Sequence, residues 1–69
     1  MSKTIRLNGK PTVTDAQSIA DLVDRQGAKV KGRGVAVARN RVVVHREEWP
    51  ETPVAEGDQI EIIRPIVGG

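Results

Sequence analysis

Polar and apolar side chains alternate at the start of the chain. Between Lys3 and Leu7, Ile5 and Leu7 fall on one face, and Thr4 and Arg6 fall on the other. This two-residue period is typical of a strand that is buried on one side only. The pattern therefore predicts a first β-strand over residues Lys3 to Leu7.

A tight turn is expected directly after this strand, at Asn8-Gly9. Both residue types readily adopt the positive φ angles that a two-residue hairpin turn requires. The turn predicts that Lys10 to Thr14 return antiparallel to the first strand, with Val13 facing inward. Because Pro11 has no N–H to donate, this second strand is expected at an edge of the sheet.

A helical pattern follows the hairpin. The apolar positions at spacings i, i+3 and i+4 form one stripe of an amphipathic helix: Ile19, Leu22 and Val23. Ser18 is the expected N-cap, and Asp15 is an alternative one turn earlier. Gly27 can take the left-handed conformation that closes a helix, which predicts a helix of about ten residues ending there.

Two short apolar runs in the second half of the chain predict another hairpin. Val35 to Ala38 and Val42 to Val44 flank Asn40, which tolerates a left-handed turn position. The segment Arg46 to Trp49 is too short for a full helix. The prolines that follow it, Pro50 and Pro53, favour a turn or an extended crossover.

The last strand is predicted from Gln59 to Pro65, after a turn at Gly57-Asp58. Its apolar residues Ile60 and Ile62 face one way, while Glu61 and Ile63 face the other. The order of elements is then strand, strand, helix, strand, strand, strand, which indicates the α+β class with one helix across one face of a sheet. The intervening chain allows the first and last strands to pair in parallel as central neighbours.

Composition limits the class of protein. The chain has 69 residues and 38% hydrophobic residues, so it can bury one small core and forms a single domain. Cysteine is absent, which excludes disulfides, thiolate zinc sites and thiol nucleophiles. His45 has no second histidine nearby, so no metal site is predicted, and Trp49 is expected to cover the core.

Charge and hydropathy indicate a soluble protein. The formal net charge is +2, which does not by itself demand a nucleic-acid partner. No apolar run approaches the roughly 18 residues of a membrane span, and the start of the chain lacks the apolar segment of a signal peptide. The expected location is therefore the cytoplasm, with no membrane partner.

Three stretches and the chain end resemble a known family. They are Val35-Ala36-Val37-Ala38-Arg39-Asn40, Val44-His45-Arg46-Glu47-Glu48-Trp49, Glu56-Gly57-Asp58-Gln59-Ile60-Glu61-Ile62-Ile63 and Val67-Gly68-Gly69. In these residues, and in length and element order, the chain resembles the β-grasp sulfur carrier proteins, most closely the ThiS family of thiamin biosynthesis. Two departures are His45, where the family more often has proline, and the basic loop Lys29 to Gly34.

The resemblance implies a β-grasp, ubiquitin-like fold: a mixed five-stranded sheet with one helix across one face. Residues 1–65 would form the domain, and residues 66–69 a flexible tail that ends in Gly-Gly. It also implies that the chain is a protein cosubstrate and not an enzyme, that it binds no cofactor, and that a partner uses ATP and magnesium. The implied partners are an E1-like adenylating enzyme, a sulfur donor such as a cysteine desulfurase, and thiazole synthase.

The reactive group implied by the resemblance is the C-terminal carboxylate of Gly69. At neutral pH this group is ionised and is a poor electrophile, so it needs activation. In the family, the partner converts it to an acyl-adenylate, from which sulfur displaces AMP to give a thiocarboxylate. Gly68 lacks a Cβ and suits a narrow channel. Ile66 and Val67, together with Gly68, are the expected partner-binding residues; the alternative for Ile66 and Val67 is packing at the edge of the domain itself.

Other functions stay open on the sequence. A related carrier for molybdopterin or amino-acid sulfur transfer would share the fold and the ending, and a ubiquitin-like modifier would join Gly69 to lysine amines. A small nucleic-acid-binding module is a further alternative, since several basic residues could contact phosphates: Lys29, Lys31, Arg33, Arg39 and Arg41. A solvated basic loop is the simpler interpretation, because Trp49 is the one aromatic residue available for stacking.

Overall fold

The computed structural model describes residues 2–26 and 34–63, and these form the sheet and helix that the sequence predicts. The elements are β1 (Lys3–Leu7), β2 (Lys10–Thr14), α1 (Ile19–Arg25), β3 (Ala36–Arg39), β4 (Val42–Val44), a 3₁₀ segment (Arg46–Glu51) and β5 (Gln59–Ile63). The α+β class is confirmed. β3 begins one residue later than predicted, and the predicted strand residues beyond Ile63 lie outside the described residues.

The five strands of the described sheet lie in the order β2-β1-β5-β3-β4. β1 and β5 pair in parallel, whereas β2 pairs antiparallel with β1, and β3 pairs antiparallel with both β5 and β4. The mixed sheet with parallel first and last strands is thus confirmed. β2 lies at an edge, as Pro11 requires.

Left-handed residues form both hairpin turns. Asn8 and Gly9 have φ angles of 52° and 83°, as the Asn-Gly pair predicts. Asn40 and Arg41 have φ angles of 53° and 70°. The prediction for Asn40 is confirmed, and Arg41 adopts the same region because a two-residue turn of this type requires positive φ at both positions.

The predicted inward position of Val13 is wrong. The two-residue turn pairs Ile5 with Thr12 and Thr4 with Val13, so Val13 shares the outward face of Thr4 and is 69% exposed. Thr12 takes the inward position instead. The apolar character of Val13 alone suggested burial, but the register fixed by the turn determines the face.

Ser18 starts the helix, as predicted. Its Oγ accepts a hydrogen bond from the backbone N–H of Asp21 at 3.1 Å, while Asp15 forms an ion pair with Arg25 and does not cap. The described helix ends at Arg25 and so has seven residues, fewer than the ten predicted. The predicted helix end at Gly27 lies outside the described residues.

The helix buries its apolar stripe against one face of the sheet. The buried core consists of Ile5, Ala16, Ile19, Leu22, Val23, Val37, Trp49, Val54, Ile60 and Ile62. Trp49 covers this core, as predicted, and its ring N–H donates a hydrogen bond to the carbonyl of Val44 at 2.8 Å. Its polar atom is therefore satisfied although the ring is buried.

The crossover to β5 is more ordered than the prolines suggest. Residues Arg46–Glu51 form a 3₁₀ segment that contains Pro50, where the sequence predicts a turn or an extended crossover. Two backbone hydrogen bonds, from Glu48 to His45 and from Thr52 to Trp49, hold the segment without an N–H from Pro50. The chain after it is extended, and the Thr52 carbonyl accepts from the N–H of Ile19.

Candidate functional site

The residues predicted to carry the chemistry all follow β5. Gly69, Gly68, Val67 and Ile66 lie outside the described residues. What the structure provides is the strand from which they continue, as far as Ile63. The candidate site is therefore built from the end of β5 and the surface around it.

β5 lies at the centre of the sheet, with β1 on one side and β3 on the other. Ile60 and Ile62 point into the core, whereas Glu61 and Ile63 point to the open face opposite the helix. Burial of alternate side chains fixes the rotation of the strand about its own axis. The segment that ends in Gly69 thus continues from an anchored strand.

The end of β5 is held by β3 on one side and by the β1–β2 turn on the other. On the β3 side, Ala36 pairs with Ile63. On the β1 side, the ladder ends where Leu7 pairs with Ile60, and Asn8 continues the contact. Asn8 donates its backbone N–H to the carbonyl of Ile60 at 2.9 Å and accepts the N–H of Ile62 on its side-chain Oδ1 at 2.8 Å.

A polar network holds the start of β5. Asp58, whose side chain is 8% exposed, accepts hydrogen bonds from Arg39 Nε at 2.7 Å, from Asn40 Nδ2 at 3.2 Å and from the backbone N–H of Ala55 at 2.8 Å. Burial opposes the charge of this carboxylate, but the bond from Arg39 and the other donors outweigh it and lower its pKa. Asn40 also accepts the N–H of Gln59 on Oδ1 at 2.9 Å.

An apolar patch lies on the open face beside the end of β5. It consists of Ala36, Ala38, Val43 and Ile63, and is called the open-face patch here. The register aligns these residues, because Ala36 pairs with Ile63 and Ala38 pairs with Val43. Val43 is 62% exposed and Ile63 is 56% exposed. Val43 and Ile63 lie on either side of β3, and Glu61, which pairs with Ala38, lies on the same face, so the patch combines exposed apolar side chains with a neighbouring carboxylate. Exposed apolar surface rimmed by polar residues is typical of protein-binding sites.

Of the five basic residues that could contact phosphates, the structure describes Arg39 and Arg41. Arg39 is committed to Asp58, and Arg41 is an exposed turn residue. Lys29, Lys31 and Arg33 lie outside the described residues. His45 is exposed and directly follows β4.

Within residues 2–26 and 34–63, acidic and histidine side chains form no group of three suited to a metal ion. In the same part of the chain, no helix has the length and apolar character needed to span a membrane.

Comparison with known proteins identifies the family. The model of the ThiS family matches residues 3–69, which run from β1 to Gly69. The chain belongs to the ThiS family. The family whose residues the sequence resembles is therefore confirmed, and the match includes the terminal pair Gly68-Gly69.

Two ThiS proteins illustrate the similarity. The chain is 30% identical over 63 residues to the sulfur carrier protein ThiS of Thermus thermophilus, covering 91% of this chain and 95% of the relative. It is also similar to the crystal structure of the thiamine biosynthesis protein ThiS from Geobacter metallireducens. There the TM-score is 0.73 at 28% identity, covering 96% of this chain and 99% of the other. The β-grasp fold that the resemblance implies is thereby confirmed.

Sequence reasoning missed the side chains that anchor β5. It treated Asn8 and Asn40 as turn residues and Asp58 as part of another turn, whereas all three bond to β5 or to the residues that lead into it. One signal was present: both hairpin turns contain an asparagine, which combines tolerance of positive φ with a side-chain acceptor.

Proposed function

We propose that this chain is a sulfur carrier of thiamin biosynthesis, activated at the C-terminal carboxylate of Gly69. The observation that carries the proposal is the ThiS family match, which extends through the terminal Gly68-Gly69. The Thermus relative is named a sulfur carrier, and the Geobacter structure is named a thiamine biosynthesis protein. These names favour thiamin biosynthesis over the molybdopterin and amino-acid alternatives.

The proposed chemistry takes place on the terminal carbon. A carboxylate oxygen of Gly69 attacks the α-phosphorus of ATP, and pyrophosphate leaves. A sulfide equivalent from the donor then adds to the carbonyl carbon, and AMP leaves with the oxygen that formed the new bond. The product is a thiocarboxylate, which delivers its sulfur to the thiazole-forming enzyme.

In this proposal the chain presents its C-terminal carboxylate to the partner enzymes and contributes no catalytic side chain. ATP and magnesium belong to an E1-like adenylating enzyme, and the sulfur comes from a donor such as a cysteine desulfurase. Ile66, Val67 and Gly68 would lie in the channel of the adenylating enzyme, where the absence of a Cβ on Gly68 allows close approach. The open-face patch would contact the same enzyme beside the channel entrance. Thiazole synthase would then receive the sulfur.

The test is the intact mass of the protein after incubation with a ThiS-family adenylating enzyme, ATP, magnesium and a sulfur source. We expect a gain of about 16 Da, the difference between sulfur and oxygen, located at Gly69 by fragmentation. The control is the same protein with one alanine appended after Gly69. The extra residue moves the carboxylate by up to about 3.6 Å, so this variant should gain no mass while its melting temperature stays unchanged.

Three outcomes would contradict the proposal. The gain could fall on an internal side chain, be absent with every adenylating enzyme of the family, or occur on the extended chain without trimming. A stable isopeptide bond from Gly69 to lysine amines would instead identify a protein modifier. Transfer of the sulfur to a molybdopterin-forming enzyme and not to a thiazole-forming one would identify the related carrier.

A further inference from the structure

Two asparagines hold opposite ends of β5, each through its backbone N–H and its side-chain oxygen. Asn40, in the turn between β3 and β4, exchanges hydrogen bonds with Gln59: its N–H donates to the Gln59 carbonyl at 2.7 Å, and its Oδ1 accepts the Gln59 N–H at 2.9 Å. Asn8, in the turn between β1 and β2, donates to Ile60 and accepts from Ile62. β5 is therefore held at its first residue by one turn and near its last by the other.

The bond from Ile62 to Asn8 continues the parallel ladder beyond the end of β1. Along this ladder, the N–H of Arg6 donates to the carbonyl of Asp58 and the N–H of Asn8 donates to that of Ile60, each at 2.9 Å. The even spacing of a parallel ladder places the next acceptor at residue 8, for the N–H of Ile62. The φ angle of 52° turns the chain into the hairpin at Asn8, and its side-chain oxygen takes the place of a strand carbonyl.

This arrangement makes particular demands on the side chain at position 8. The residue must tolerate positive φ, which asparagine and aspartate do more readily than most, and it must carry an acceptor two bonds beyond Cβ. Glycine tolerates positive φ but has no side-chain acceptor. The side chain of Asn8 is exposed, and no core residue depends on its volume. Its contribution can therefore be separated from the packing of the core.

We propose that Asn8 is a positioning residue for the reaction at the C-terminus. It holds Ile62, one residue before the end of β5, the strand from which the chain continues toward Gly69. This role rests on the proposed function. Reactions at a bound terminus are sensitive to placement, since an error of about 1 Å can cost about a hundredfold in rate.

The test uses three variants in pyrophosphate exchange driven by a ThiS-family adenylating enzyme, with the carrier concentration varied to separate kcat from KM. Asn8→Gly keeps the turn and removes the acceptor, so we expect kcat to fall by about tenfold with KM unchanged. Asn8→Asp keeps the tolerance of positive φ and the side-chain acceptor, so its kcat should equal that of the unmodified protein. Asn40→Gly removes the acceptor for Gln59 at the other end of β5, together with the side-chain donor to Asp58, and should leave kcat as in the unmodified protein.

Amide hydrogen exchange supplies a second measurement that needs no partner enzyme. The N–H of Ile62 should exchange faster in Asn8→Gly and at its normal rate in Asn8→Asp and Asn40→Gly. A merely structural role predicts that the two glycine variants lose kcat in proportion to their loss of melting temperature. That result, or an unchanged kcat in Asn8→Gly, overturns the positioning role. If the unmodified protein itself drives no exchange, the proposed function fails, and the positioning role fails with it.

Discussion

Asp58 joins the chain segments from which β5 begins. Its carboxylate accepts from Arg39 at the end of β3, from Asn40 in the adjacent turn and from the backbone of Ala55 in the crossover. A buried carboxylate that lost these donors would carry an uncompensated charge, whereas one that keeps them is stabilised in its ionised form. The network therefore contributes most when Asp58 is ionised.

Replacing Asp58 with asparagine should lower the free energy of unfolding by about 1–3 kcal/mol at pH 7, because the charge-assisted bond from Arg39 is lost. The pKa of Asp58 is lower in the folded protein than its ordinary value. Its ionisation therefore stabilises the fold above the unfolded-state pKa of about 3.9, and this stabilisation is lost as the pH falls through the depressed folded-state pKa. Asp58→Asn should consequently lose less stability on acidification than the unmodified protein.

Denaturant titrations at pH 7 and near pH 3 measure both effects. Asp24→Asn is the matched control, since Asp24 is an exposed helix carboxylate. Some pH dependence should persist in every variant, because the hydrogen bond from Arg25 and the N–H of Gln17 also lower the pKa of Asp21. If Asp58→Asn and the unmodified protein lose equal stability on acidification, Asp58 does not contribute to the pH dependence of the free energy of unfolding.

At the scale of elements, the packing of α1 against the sheet can be tested by substitution. Leu22 is 1% exposed and lies in the middle of the stripe that packs on the sheet. Leu22→Ala should lower the free energy of unfolding by about 2–5 kcal/mol, a large part of the stability of a small domain. Urea denaturation measures the loss. The exposed Asp24→Ala on the same helix should stay within about 0.5 kcal/mol, and an equally small loss for Leu22→Ala would contradict the packing described.

Element boundaries were predictable where a local rule sets them. Alternation and the Asn8-Gly9 turn gave the bounds of β1 and β2, because a two-residue turn leaves little freedom in register. The same register placed Val13 outward, against the prediction from its apolar character. The 3₁₀ segment was missed, since its order depends on the burial of Trp49, a tertiary contact that local propensity does not contain.

At the scale of the whole molecule, the open-face patch should govern recognition by the adenylating enzyme. Val43→Asp places a charge in the patch and should raise the KM for the carrier by about tenfold, with kcat nearly unchanged. Val13→Asp is the matched control. It is an equally exposed valine of an edge strand on the same face, but its partner Thr4 lies toward the start of β5 and away from Ile63.

Pyrophosphate exchange over a range of carrier concentrations makes this measurement, with melting curves to verify that both variants fold. If Val13→Asp raises KM as much as Val43→Asp does, general charge repulsion and not the patch is responsible.

The two parts of the candidate site were predictable to different degrees. The pair Gly68-Gly69 can be proposed from the sequence, because the chemistry proposed for it depends on position in the chain and not on folding. The open-face patch is not visible in the sequence, since Ala36 meets Ile63 and the patch becomes one surface only through the strand order, in which β3 lies between β5 and β4. The roles of Asn8 and Asn40 were hidden for the same reason: each bonds to a strand distant in sequence.

The central place of β5 has a consequence for synthesis on the ribosome. β1 and β2 can pair early, and β3 can pair with β4, but among the described strands these two hairpins are joined only through β5. Because β5 is translated after both hairpins, the hairpins of a nascent chain share no strand pairing until β5 emerges. Chains that terminate early lack both the joining strand and the terminal glycine. The fold thus joins its two hairpins only late in synthesis.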